Sequence, residues 1–85
     1  MTYQIEFTAS AARALSKFGK TLQFRITAKI DALANQPRPP GVEKLHGRRD
    51  RYRLRVGDYR IIYEIQDRIL LVLIVDIGHR REIYR

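Results

Sequence analysis

Arginine alternates with apolar residues in RYRLRV, Arg51 to Val56, and a second run, YRIIYEI, opens with Tyr59 and Arg60 directly after Gly57-Asp58. The chemistry these residue types offer is anion binding, because a guanidinium presents its N–H donors in a fixed fork and keeps its charge at neutral pH. Tyr52, Leu54 and Val56 alternate with Arg53 and Arg55, which is the period of a half-buried strand. Gly-Asp between two such runs predicts a tight hairpin. A two-residue turn sets Val56 opposite Tyr59 and Arg55 opposite Arg60. Like charges directly opposite on one sheet face repel. A fold that gathers Arg53, Arg55 and Arg60 therefore either receives an anion there or spreads the three over a solvated basic face. The residues alone leave both readings open.

The elements that position these arginines follow from periodicity. Tyr3 to Phe7 reads as a first strand, with Tyr3, Ile5 and Phe7 on one face. Thr8 or Ser10 can cap a helix carrying Ala11, Leu15 and Phe18, with Gly19 as its stop. Thr21 is expected to cap a second helix, in which Leu22, Ile26, Ile30 and Leu33 form a core-facing stripe and Arg25 and Lys29 lie on another side. Pro37, Pro39 and Pro40 end helical structure. The remainder reads as a strand meander: VEKLHG as a short entry strand, RYRLRV and YRIIYEI as a hairpin, and a second tight turn at Gln66-Asp67 leading into RILLVLIVDIG. That turn would set Ile61 against Val72 and Tyr63 against Leu70 on the helix-covered face. The opposite face would carry Arg53, Arg55 and Arg60, with Ile62, Leu71, Leu73 and Val75 further across. The expectation is an α+β fold in one domain over residues 1–85, with the helices packed on one face of a single sheet.

Seventeen Lys and Arg against nine Asp and Glu in 85 residues give a formal charge of +8, which points toward nucleic acid or an acidic protein as partner. With no cysteine and two histidines, a disulfide framework and a thiolate or histidine metal centre are not expected. MTYQIEF does not read as a signal peptide, and the apolar run Ile69 to Val75 is too short to span a bilayer. A cytoplasmic protein without a membrane partner or a cofactor is expected.

The segments LHG at Leu45 to Gly47, YRLRVGDYRIIYEI at Tyr52 to Ile65 and IGHRREIY at Ile77 to Tyr84 resemble the RelE/ParE superfamily of bacterial toxin-antitoxin toxins, and within it the RelE-type ribosome-dependent mRNA endonucleases. The likeness covers essentially the whole chain, since a strand, a helical hairpin and a strand meander in this order is the family's plan. It implies cleavage of translated mRNA in the ribosomal decoding site, with the RNA's own 2′-hydroxyl as nucleophile and no metal required. It also implies neutralisation by a cognate RelB-like antitoxin.

Carried over by position, Arg53 and Arg55 match two basic residues, often lysines, on the strand before the turn, and Arg60 matches an arginine that contacts the scissile phosphate. Arg80 matches an arginine linked with protonating the leaving group, and Tyr84 a tyrosine that packs on or orients the substrate base. Arg51, Arg81 and His79 join Arg53 as expected contacts to RNA, and His46 is either structural or a contact to ribosomal RNA. The chain departs from the family pattern in having arginine where a lysine has been proposed as general base, and guanidinium is a poor proton acceptor. Glu43, His79 and solvent remain as acceptors for the 2′-hydroxyl proton; Tyr84, with its high reference pKa, needs the arginines to lower it. Two other functions stay open: a ParE-like inhibitor of DNA gyrase without nuclease chemistry, and a basic nucleic-acid-binding module.

Overall fold

A computed structural model describes residues 2–47 and 50–79; Arg80, Arg81 and Tyr84 lie outside the described residues. The order of elements is β1 (Gln4–Phe7), α1 (Ala9–Ser16), α2 (Lys20–Ala32), β2 (Glu43–Lys44), β3 (Arg51–Val56), β4 (Tyr59–Gln66), a single 3-10 turn (Asp67–Ile69) and β5 (Leu71–His79). The strands form one sheet in the order β1-β5-β4-β3-β2. The expected α+β plan is the observed one, with a strand, a helical hairpin and then an antiparallel succession. One feature is added: β1 pairs with β5 in parallel, Ile5 opposite Val72, so the sheet is mixed.

The helical stripe behaves as its period requires. Ile26, Ile30 and Leu33 are buried in one cluster with Leu54, Ile61, Tyr63, Ile65, Val72 and Ile74, and Leu22 packs against it. Each such side chain contributes about 1.5–3 kcal/mol on leaving water. Thr8 caps α1, its Oγ1 accepting from the Ala11 N–H at 3.1 Å. The same hydroxyl donates to the Val75 carbonyl at 2.8 Å, which ties the helix start to β5. The expected cap at Thr21 is not used: α2 starts at Lys20 with Gly19 as its N-cap and no side-chain cap bond.

The β3–β4 hairpin forms in the expected register, with Val56 opposite Tyr59 and Arg55 opposite Arg60. The β4–β5 pairing differs from expectation. The connection is the 3-10 turn followed by Leu70 in the left-handed region at φ 53°, so Ile61 faces Ile77, Tyr63 faces Ile74 and Ile65 faces Val72. A longer turn displaces the whole of β5 along β4. A register break lies between Ile62 and Tyr63, with Val75 as the extra residue on β5. This bulge resets the alternation. Counting on from Val72 and Ile74 would bury Asp76; instead Asp76 is set opposite Ile62 on the open face, Ile77 enters the core at 3% exposure, and Gly78 comes to lie opposite Arg60.

Candidate functional site

Residues directly opposite in a ladder share a face, so the register assigns the open face row by row. At the hairpin end, Arg55, Arg60 and Gly78 form one row, and Arg53, Ile62 and Asp76 the next. β2 extends that second row, because Glu43 pairs with Arg53. Arg53, Arg55 and Arg60, with Glu43 and Gly41, line a depression of about 280 Å³. The hairpin thus brings together the three arginines that alternation singled out.

Arg60 is only 4% exposed, and its cross-strand neighbour on β5 is a glycine, which offers no side chain to fill the space beside it. Arg55 is exposed. Arg53 is held by Glu43: its Nε and Nη2 donate to the same carboxylate oxygen at 3.1 and 2.5 Å. That contact holds the Glu43 carboxyl below the usual range, first through the hydrogen bond and charge of Arg53 and then through the fields of Arg55 and Arg60. Fork-shaped donors meeting one acceptor from the lip of a basic depression are suited to a phosphate oxygen as much as to a carboxylate.

The other candidates are placed differently. Arg51 lies on the open face farther from the hairpin turn, ion-paired with Glu64 at 3.3 Å. His79 ends β5 opposite Tyr59, and their rings meet edge to face at 5.5 Å. Tyr59 in turn meets Phe18 from the helical side at 5.1 Å. His79 therefore stands on the helix-bearing face, on the other side of the sheet from Arg53, Arg55 and Arg60, and the fold does not bring it to their depression. His46 is exposed in the turn that follows β2. Two features were not legible beforehand: the Glu43–Arg53 pair, which needs the register of a two-residue strand, and the Arg60–Gly78 pairing, which depends on the bulge.

A family model described as "ParE toxin of type II toxin-antitoxin system, parDE" matches residues 5–84. The mRNA interferase toxin RelE of Escherichia coli K12 is 30% identical over 88 residues, covering 99% of this chain and 92% of its own. The chain is a toxin of the RelE/ParE superfamily. Solved structures agree with that assignment. RelE from the RelE-RelB complex of Pyrococcus horikoshii superposes with a TM-score of 0.84 at 31% identity, covering 96% of this toxin and 99% of its own chain. The E. coli RelBE complex gives a TM-score of 0.81 at 25% identity, covering 91% and 95%. Among the described residues of the toxin no helix is long and apolar enough to cross a membrane. The family model carries the ParE name and the full-length relatives carry the RelE name, so the division between the two activities rests on the site.

Proposed function

We propose that this toxin is a ribosome-dependent endoribonuclease that cleaves translated mRNA by attack of the 2′-hydroxyl on the adjacent phosphate, leaving a cyclic phosphate and a free 5′-hydroxyl. The observation that carries this reading is the gathering of Arg53, Arg55 and Arg60 around one depression, in a chain 30% identical to an mRNA interferase over nearly its full length. The reaction needs a proton taken from the 2′-hydroxyl, charge stabilised on the phosphorane, and a proton given to the departing 5′-oxygen. Arg60, held in place by burial, and Arg55, exposed beside it, suit the second task. Arg80 and Tyr84 are assigned to leaving-group protonation and base stacking by resemblance, with Arg81 as an RNA contact.

Among the described residues, the first task has no strong protein candidate near the arginines. A general base works best with a pKa near the operating pH, and Glu43 is held in the opposite direction by Arg53. His79 lies on the other sheet face. Positioning on the ribosome with solvent as proton acceptor is the reading this geometry favours. No step in it calls for a metal ion. The neutralising partner is a RelB-like antitoxin, whose acidic or amphipathic segment would cover the basic depression or the aliphatic residues Leu71 and Leu73 farther along the open face. Its association should weaken with salt.

The ParE name of the family model supports a second reading, gyrase inhibition by protein binding. Primer extension on a translated message after induction separates the two. Cuts that require translation of the message support the nuclease, whereas intact messages with induction of the DNA-damage response support the gyrase inhibitor.

A further inference from the structure

Glu43 and Arg53 are unequally fixed. The Arg53 side chain is 16% exposed and that of Glu43 60%, so the arginine is largely covered while the carboxylate stands in solvent. The strand that carries Glu43 is two residues long and forms the edge of the sheet. It is flanked by Gly41 at φ 89° and Gly47 at φ 76°, positions where a left-handed backbone suits glycine. Short edge segments of this kind open at low cost. One Glu43 oxygen accepts from both Nε and Nη2 of Arg53, and these are donors that a guanidinium can equally direct at phosphate oxygens.

We propose that Glu43 is an internal stand-in for phosphate, occupying the Arg53 fork until an incoming phosphodiester displaces it and completes the three-arginine site. This deepens the anion-site reading given above and rests on it. A carboxylate at the lip of the depression repels a loosely arriving anion and competes for Arg53, so it lowers affinity for free RNA. A phosphodiester aligned by other contacts can still exchange with it. Glu43 is then a negative determinant of ground-state binding, a role distinct from that of a base.

The probe is inorganic pyrophosphate titrated into the purified full-length toxin, followed by NMR shifts of the β3 and β4 amides. Glu43→Gln should bind about three- to tenfold more tightly than wild type, because the charge of an exposed carboxylate competing for Arg53 is removed while its side-chain shape is kept. In an Arg53→Met background the same substitution should change affinity by less than about twofold. Glu6→Gln, at the opposite edge of the sheet, should leave it unchanged and so controls for net charge. Equal or weaker binding by Glu43→Gln, or no binding by either protein, overturns the proposal. So does a loss of more than about a hundredfold in single-turnover cleavage with unchanged binding, which would make Glu43 the base. A wild-type toxin that cuts no message would refute the nuclease reading while leaving the pyrophosphate comparison intact.

Discussion

Arginine does different work at the two ends of the sheet. At the end where β4 passes into β5, Arg38 donates to Asp67 at 2.9 Å and to the Tyr52 hydroxyl at 3.0 Å, and its guanidinium lies over the Tyr52 ring. Tyr3 donates to the same aspartate, and the Tyr63 hydroxyl donates to the Pro37 carbonyl at 2.7 Å. These contacts pin the proline-rich connection across the strands, and the hydrogen bonds from Arg38 and then Tyr3 hold the Asp67 carboxyl below its ordinary range. At the hairpin end three guanidiniums share a depression that, among the described residues, is also lined by the Glu43 carboxylate. Side-chain type is the same at both ends; the groups placed opposite decide whether arginine braces the chain or lines a basic depression.

The comparison predicts that damage at the braced end is read as lost stability and damage at the basic end as lost activity. The largest effect is expected for Tyr63→Ala. Tyr63 is fully buried and stacks on Tyr52, so its truncation should cost about 3–5 kcal/mol in denaturant unfolding. A loss below about 1 kcal/mol would mean the core is not centred there. Arg60→Ala comes next, with cleavage reduced at least about a hundredfold, near 3 kcal/mol of transition-state stabilisation. A folded, antitoxin-binding Arg60→Ala protein that stays fully toxic would break the assignment of the basic end.

A smaller effect is expected for His79→Ala. Standing on the helix-bearing face, it should lower single-turnover cleavage by less than about tenfold, whereas loss of a general base costs about 10²–10⁴-fold. A loss in that higher range with ribosome binding unchanged would show that His79 reaches the reacting atoms. The mildest effect concerns acid. The carboxyls of Glu43 and Asp67 are both held low in the folded state, so their contribution is present above the unfolded carboxyl pKa of about 4 and is lost as pH falls through the folded values. Thermal melts from pH 6 downward should show wild type losing stability below about pH 5, with Asp67→Asn showing a shallower dependence. Identical profiles would remove Asp67 from the brace.

What the sequence disclosed divides along the same line. The β3–β4 hairpin was legible to the residue because strict alternation and a two-residue turn fix the register. The core stripe of α2 followed from helical period. The register of β5 was not legible, since the run from Ile69 to Val75 is apolar at every position and slides without penalty in an alternation count. A left-handed Leu70 and an extra residue at Val75 carry no sequence signal of their own. They place Gly78 against Arg60 and turn His79 to the other face, so the arginines could be grouped in advance whereas the acid–base candidates could not. The Glu43–Arg53 contact was hidden because two residues are too few to declare a strand.

The proposed function puts RNA cleavage on the ribosome at the basic end of this sheet. Its most direct test is single-turnover reaction of the purified toxin with ribosomes programmed by an end-labelled message. One cut within the codon in the decoding site is expected, with a 2′,3′-cyclic phosphate on the upstream fragment, and both should be lost with Arg60→Ala. An intact message, or a cut that persists undiminished in folded Arg60→Ala, would contradict it.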